Sequence, residues 1–333
     1  VSRQKGTAEK VSDWVIEIDR EVCKQFPAPK KVMKPFKYYG GKGPLAKKLL
    51  GVLPYGKVYV EPYCGSAALL FAKAPSSVEV LNDLNGDIVN VFRVLQSPQD
   101  FKKLAHRLIW TPYSFAEFCR ALDIQKTSED PIERAWATIV LQAQALSAIA
   151  QTSGNWSRTF ISSRGMSKTT SSWIARLQSV FWWHERLLRV QLDQRDALEC
   201  IRFWDSKDTV FYCDPPYIKE TRFDLDRKVY SYDVDDQHHR ELVEVLLSIQ
   251  GNCVLSGYAH PLYAPLQQAG WKVYRWPTVC SAAARVRGGG LRGAGMASKH
   301  TPRVECAWVK NTNQEKPLFS DLPSESSGSQ PTR

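Results

Sequence analysis

Asp214-Pro215-Pro216-Tyr217 follows directly on the apolar run Val210-Phe211-Tyr212-Cys213, which sets a carboxylate, a rigid backbone carbonyl and an aromatic ring at one strand end. Two prolines fix φ and remove two backbone donors, so the strand cannot simply continue; the Asp214 side chain and the Pro215 carbonyl remain as acceptors. An exocyclic amine on a nucleobase is conjugated into its ring and is a poor nucleophile. Two acceptors on its hydrogens localise the lone pair for attack on an electrophilic methyl group. Tyr217 offers a stacking face for the same base. The plainer reading of the tetrapeptide is a strand followed by a proline turn, and such short motifs are decided by their surroundings.

A second group of residues has the chemistry of a nucleotide-like ligand site. Val58-Tyr59-Val60-Glu61-Pro62-Tyr63-Cys64-Gly65-Ser66 reads as a strand running into a small-residue turn and then a helix, the arrangement in which a parallel sheet binds such ligands beyond its strand ends. The lack of G-x-G-x-x-G argues against a pyrophosphate dinucleotide. Asn82-Asp83 closes the next strand, with Asp83 22 positions after Glu61, where an acidic residue accepts ribose hydroxyls; the alternative for Asp83 is a helix cap at a strand-to-helix junction. Asp196, after the strand Val190 to Leu192, can accept from a cofactor adenine or lie in a solvated loop. Tyr38-Tyr39-Gly40-Gly41-Lys42 supplies two rings, a flexible turn and a cation before a helix. That suits a ligand with a sulfonium for the aromatic face and a carboxylate for Lys42 or helix N–H groups. The phosphate-loop pattern is not satisfied there, and a plain glycine turn is the alternative.

The elements that must position these groups follow from the pattern of apolar residues. Between Phe36 and about Val94 the sequence predicts a helix (Leu45 to Val52), a strand (Val58 to Glu61), a helix (Ala67 to Ala72), a strand (Val78 to Asn82) and a helix (Asp87 to Leu95). Strands alternating with helices imply a parallel sheet covered on both faces. Residues 97–189 lack that rhythm and read as helices, including Pro131 to Ile149, interrupted by the polar stretch Gln151 to Ser172: an inserted, mostly helical module. The alternation resumes at Val190 with Val210 to Cys213, a helix Gln237 to Ile249 capped by Asp233 or Asp235, a strand Cys253 to Ser256, and late strands near Trp271 to Trp276 and Val304 to Val309. Residues 1–34 carry a helix-like stretch, Val11 to Phe26, and a proline linker, while 311–333 have the composition of a disordered tail.

With 333 residues, 43% hydrophobic and 11 Trp, the chain can bury a sizeable core and is not of the disordered class. Its net charge of +11 favours a polyanionic partner, because Lys and Arg that neutralise phosphates release counterions. The eight cysteines show no C-x-x-C pair and read as buried thiols in a reducing compartment; no metal site is expected. No apolar segment approaches the roughly 20 residues of a bilayer span, and the N-terminus lacks the apolar core of a signal peptide. A soluble, intracellular protein is expected.

Together these motifs resemble the Dam-like, D12 class adenine-N6 DNA methyltransferases, over roughly Pro35 to Lys310. Phe36-Lys37-Tyr38-Tyr39-Gly40-Gly41-Lys42 is similar to the family's aromatic-x-Gly-Gly-Lys element, Glu61-Pro62-Tyr63-Cys64-Gly65 to its Glu-Pro-Phe-x-Gly turn, Asn82-Asp83-Leu84-Asn85 to its ribose-binding acidic motif, and Asp214 to Tyr217 to its catalytic tetrapeptide. The agreement of order and spacing is far more specific than any single motif. The resemblance implies a Rossmann-like α/β methyltransferase sheet with helices on both faces, split as 35–96 and 190–310 around a target-recognition module at 97–189. It implies S-adenosylmethionine bound by Tyr38, Gly40, Gly41, Lys42, Glu61, Pro62, Gly65, Asp83 and Asp196, and catalysis by Asp214, Pro215, Pro216 and Tyr217. The sequence departs from the family at Tyr63, where Phe is usual, and at Ser66 and Ala67, near which a second Gly is usual.

The resemblance further implies methyl transfer to N6 of adenine in double-stranded DNA by base flipping, in the cytoplasm of a bacterial or phage-infected cell, with no metal, membrane or obligate protein partner. Between Gly154 and Arg189, Arg158, Arg164, Lys168, Arg176, Arg186 and Arg189 face a single acid, Glu185, with aromatics interleaved. That makes a candidate DNA face in which Arg164 and Lys168 position phosphates and Asn155 or Arg158 reach base edges. The alternative is a tryptophan core with solvated cations, and Trp182 and Trp183 are read as core. Arg285 to Arg303 is a second basic segment, and Lys219 to Tyr232 is a lid or an ordinary surface loop. His238 and His239 read as structural. An RNA adenine methyltransferase, a cytosine-N4 enzyme and a catalytically silent DNA-binding regulator are the rival readings.

Overall fold

A computed structural model describes residues 34–36, 42, 45–146, 153–221, 234–279 and 302–312. Tyr38, Gly40 and Gly41, the N-terminal helix expected over Val11 to Phe26, residues 222–233 of the expected lid, most of the basic segment Arg285 to Arg303 and residues 313–333 lie outside them.

After α1 (Ala46–Leu50) the chain enters β1 (Val58–Glu61) and β2 (Val78–Asn82). Helices α2 (Gly86–Gln96), α3 (Pro98–Ile109), α4 (Phe115–Thr127) and α5 (Pro131–Gln144) follow, then a short hairpin of β3 (Ser162–Ser163) and β4 (Met166–Ser167), and helices α6 (Lys168–Leu177) and α7 (Val180–Leu187). The remainder runs β5 (Val190–Asp193), α8 (Ala197–Trp204), β6 (Thr209–Cys213), α9 (Asp236–Ser248), β7 (Asn252–Tyr258), α10 (Ala264–Gln268), β8 (Lys272–Val279) and β9 (Pro302–Lys310).

Seven strands form one sheet in the order β5-β2-β1-β6-β7-β9-β8. The first five are parallel, and β9 is antiparallel to both of its neighbours. Period-two alternation sends side chains to opposite faces. Tyr59, Leu81, Val210, Tyr212, Val254 and Ala307 join one core with α2 to α7, whereas Val60, Val80, Phe211, Cys213, Leu255 and Trp308 join a second core with α8 and α9. Both faces are therefore covered, as the apolar β6 run requires: all five of its residues are buried. This is the expected Rossmann-like methyltransferase architecture.

Local chemistry sets the helix boundaries. The Asn85 side chain caps α2 by accepting from Asp87 N, and Ser97 both closes α2 and caps α3. Asp130 caps α5 and Asp235 caps α9. The helical face is also tied to the sheet by charge. Glu79 on β2, fully buried, takes Lys73 at 2.6 Å and Arg186 of α7 at 2.5 Å. Burial pushes the Glu79 carboxyl up, but its bonds to Arg186 and Lys73 outweigh this and hold it below the usual carboxylate range.

Two expected helices differ. The segment Ala67 to Ala72 is a series of turns, with Gly65 at φ 47° and Ala67 at φ 50°. There the Leu70 amide donates to the Glu61 carboxylate at 2.9 Å, so the side chain replaces a helical carbonyl as its acceptor. The helix expected to reach Ile149 ends at Gln144, where Ala145 turns extended and bridges to Trp156.

Candidate active site

From β1 the sheet grows outward through β2 to β5, and the chain then returns to the other side of β1 to lay down β6. At such a reversal the loops leaving adjacent strand ends diverge and open a crevice. Asn82, wholly buried at the end of β2, fastens three of those ends: its amide nitrogen donates to the Pro62 carbonyl at 2.9 Å and the Arg195 carbonyl at 3.1 Å, and its oxygen accepts from Arg195 N at 3.0 Å. The crevice holds a cavity of about 450 Å³. Lys42, Glu61, Pro62, Gly65, Asp83, Asp196, Asp214, Pro215, Pro216 and Tyr217 all line it, so every described cofactor or catalytic candidate from the sequence shares one cavity.

Glu61 ends β1 and is 1% exposed. Oε1 accepts from the Tyr59 hydroxyl at 2.8 Å and from Leu70 N at 2.9 Å. Burial raises the carboxyl to about 7, although the Tyr59 and Leu70 bonds and Lys73 lower it. An acid this poorly solvated, on a cavity wall, suits a cationic group. Asp83 accepts from Asn85 N and Gly65 N, both at 2.9 Å, which ties the turn after β1 to the end of β2. Burial raises its carboxyl in spite of those two bonds. Asn85, not Asp83, is the helix cap, so the capping alternative for Asp83 does not apply. Asp196 is not a solvated loop residue: it is the N-cap of α8, accepting from Leu198 N at 2.8 Å and Glu199 N at 3.3 Å, and it also lines the cavity.

Asp214 leaves β6 beside β7. Its Oδ1 accepts from Ser256 Oγ at 2.9 Å and pairs with Lys42 Nζ at 2.8 Å. Because the single Ser256 hydroxyl hydrogen is spent on Asp214, the Tyr212 hydroxyl, 3.1 Å away, donates to Ser256. Asp214 keeps 18% of its side-chain surface and a place on the cavity wall. The Lys42 ammonium also donates to the Tyr217 hydroxyl and lies 3.3 Å from Glu305 Oε1, and the Tyr217 hydroxyl donates to Glu305. Tyr258, at the end of β7, meets the Tyr217 ring edge to face with centroids 4.7 Å apart. Thus Lys42 bridges two carboxylates and a phenol next to the tetrapeptide. Lys34 lies behind them and donates to Ser66 Oγ at 2.8 Å; burial and the Arg176 guanidinium bring its ammonium down to about 8.

Sequence reasoning missed Ser256, Glu305 and the pair formed by Tyr63 and His238, whose hydroxyl and Nε2 are 2.7 Å apart at the cavity edge. The available signal was a polar residue set inside an apolar stretch: Ser256 after Cys253-Val254-Leu255 in β7 and Glu305 between Val304 and Cys306 in β9. His239 is buried, with Nδ1 2.9 Å from the Tyr263 hydroxyl, in keeping with its structural reading.

The DNA-face candidates lie well away in sequence, around the β3–β4 hairpin. Arg164 and Gly165 both have positive φ, the two-residue turn that matches strand twist. Arg158 and Lys168 are exposed, Asn155 is half-buried, and Phe160 nearby is 99% exposed. The Arg164 guanidinium is committed to α6, donating to Ser171 Oγ and the Ser171 carbonyl at 2.7 Å each. Of the other cations counted there, Arg176 is buried and donates to the Lys34 carbonyl, and Arg186 is paired with Glu79, so both are spent inside the protein. Trp183 is core, but Trp182 is exposed, a correction to its reading as core. No helix among the described residues is long and apolar enough to cross a membrane.

Residues 38–268 match the family described as D12 class N6 adenine-specific DNA methyltransferase. The DNA N-6-adenine-methyltransferase of Escherichia phage P1 is 28% identical over 222 residues, covering 62% of this chain and 28% of that protein. The DNA adenine methylase of Serratia marcescens is 24% identical over 191 residues, 54% of this chain and 65% of the relative. That of Escherichia coli K12 is 23% identical over 198 residues, 54% of this chain and 63% of the relative. The match thus spans less than two thirds of each of these relatives.

Proposed function

Since the chain belongs to the D12 class N6 adenine-specific DNA methyltransferase family, we propose that it transfers a methyl group from S-adenosylmethionine to the N6 amine of adenine in duplex DNA. The observation that carries this reading is the convergence of Glu61, Asp83, Asp196 and the Asp214 to Tyr217 tetrapeptide on one cavity at the sheet's switch point. When bound, S-adenosylmethionine supplies an electrophilic methyl group on a sulfonium. The donor set fits it: Glu61 would take a cationic amino group, Asp83 ribose hydroxyls and Asp196 the adenine edge, while the dinucleotide glycine pattern is missing from the turn after β1.

The chain's own residues then act on the incoming base. A target adenine must leave the helix stack to enter the cavity, at a cost of a few kcal/mol that protein contacts offset. Tyr217 offers its ring to the extruded base, and Asp214 and the Pro215 carbonyl accept from N6, which localises the lone pair for attack. The nitrogen gains the methyl and sheds one proton, for which the Asp214 carboxylate is the acceptor at hand. Residues 97–189 form the target-reading part, with Arg158 and Lys168 toward phosphates and Asn155 toward base edges, while Arg164, bonded to Ser171, shapes the β3–β4 turn that carries them.

The test is transfer of labelled methyl from S-adenosylmethionine to duplex DNA and, in parallel, to RNA. Duplex DNA is the expected acceptor; labelling of RNA alone refutes the substrate, and no transfer to either refutes the activity. Asp214→Ala should lose at least about 2.7 kcal/mol of transition-state stabilisation with DNA affinity largely kept, by analogy with removing one preorganised hydrogen-bonding group. Near-normal turnover in that variant sinks the catalytic assignment.

A further inference from the structure

Glu305 lies outside residues 38–268 and belongs to none of the motifs discussed above. It stands on β9, opposite Tyr258 of β7 and Trp276 of β8, and is 3% exposed. A buried carboxylate is costly unless paired and hydrogen-bonded. Its polar contacts among the described residues lead to the tetrapeptide: Oε1 accepts the Tyr217 hydroxyl and lies 3.3 Å from the Lys42 ammonium, which in turn sits 2.8 Å from Asp214.

Resting on the methyl-transfer reading above, we propose that Glu305 is a positioning residue for that reaction. It fixes the Tyr217 ring through its hydroxyl, and it shares the Lys42 ammonium so that the cation is not spent on Asp214 alone. An ammonium with one counter-charge pulls hard on that carboxylate and weakens it as an acceptor for a neutral amine. Two carboxylates around one ammonium leave each with more of its negative charge available, in a site where burial makes such differences large. Tyr217 and Asp214 are therefore held ready before the base arrives, which is what preorganisation requires.

Burial raises the Glu305 carboxyl above the usual carboxylate range, with Asp214 adding to the rise and Lys42 and Tyr217 opposing it. The groups that face it are Lys42 before α1, Asp214 and Tyr217 after β6, Tyr212 on β6 and Tyr258 on β7. As pH falls, Glu305 takes up its proton early, the Lys42 charge is left to Asp214 alone, and the transfer rate drops.

The experiment measures single-turnover methyl transfer to duplex DNA by the full chain from about pH 5.5 to 8, with saturating S-adenosylmethionine, for the wild type, Glu305→Gln and Tyr217→Phe. Glu305→Gln should lower the rate constant about 10- to 100-fold, at the scale of losing one preorganised partner, leave the KM for cofactor and DNA within about threefold, and flatten the acid limb of the profile. A folded Glu305→Gln with the wild-type rate constant and pH profile overturns the inference, as does a loss confined to KM. Should Glu305→Gln fail to fold, Tyr217→Phe cuts the same contact from the other side. A rate drop of at least about tenfold with cofactor binding intact supports the inference, and wild-type turnover overturns it. If the wild type itself methylates no DNA, the functional reading has failed, and that result is distinct from either outcome for Glu305.

Discussion

Cofactor affinity should fall in mild acid, and Glu61 should be the cause. Burial lifts this carboxyl from 4.5 to about 7. At 1.36 kcal/mol per unit, that is about 3 kcal/mol against the ionised form. The folded-state value lies above the unfolded one, so Glu61's contribution to stability is fully present below about pH 4.5 and is lost as pH rises through 7. A cationic amino group placed on the cavity wall reverses the preference and expels the proton. Binding therefore competes with protonation below pH 7. With the bound-state value brought to about 5, affinity should drop about 20-fold between pH 7.5 and 5.5, and about 0.8 proton should leave per cofactor near pH 6. Calorimetry of S-adenosylmethionine binding in buffers of different ionisation enthalpy counts that proton directly. Glu61→Gln should bind weakly, release no proton there and show a nearly flat profile. Equal affinity at pH 5.5 and 7.5 in the wild type, with no proton released at pH 6, refutes the claim that Glu61 receives the cofactor's cation.

Removing the buried anion between the helical face and the sheet should be severe: Glu79→Ala strands Lys73 and Arg186 beside one another and should cost about 3–5 kcal/mol in denaturant unfolding, and a loss below about 1 kcal/mol contradicts the structural weight given to this cluster. On the proposed DNA face, Arg158→Ala and Lys168→Ala should weaken binding to all duplex sequences alike and each reduce the slope of log affinity against log salt by about one. An unchanged slope places the phosphate contacts elsewhere.

Much of this site was open to sequence reasoning because its residues sit where one element must end. Asp214 follows a wholly buried strand and precedes two prolines, Glu61 precedes Pro62 and a glycine turn, and Asp83 follows Asn82 at the end of β2. A parallel sheet needs both faces apolar, so the strands read as hydrophobic runs and their polar ends stand out. The antiparallel β9 could not be ordered the same way. Its place between β7 and β8 depends on pairing over long sequence separation, and no local pattern encodes a partner. The turn after β1 misled for a different reason: Ala-Ala-Leu-Leu has strong helix propensity, but Glu61 reaches across and captures the Leu70 amide. A tertiary hydrogen bond to a buried acid outweighed the local preference.

Charge counting failed in the helical region for a related reason. Arg158, Arg164, Lys168, Arg176 and Arg186 look alike in sequence, but Arg186 balances Glu79, Arg176 is buried against the Lys34 carbonyl, and the Arg164 guanidinium holds Ser171. Each is used where a carboxylate, a carbonyl or a serine waits on another element, and such partners are fixed only once the helices dock on the sheet. The same logic separates Lys42 from its first reading. A lysine after two glycines suggests a ligand carboxylate, whereas its ammonium is held by Asp214 and Glu305. Glu61, by contrast, is held among the described residues by hydrogen bonds from the neutral Tyr59 hydroxyl and the Leu70 amide, with no ion pair. Asp83 likewise has no cation paired with it among the described residues, but both its oxygens already accept from backbone amides, Gly65 N and Asn85 N; Asp214 is balanced by Lys42, so a cationic ligand group should seek Glu61, leaving Asp214 for a neutral amine.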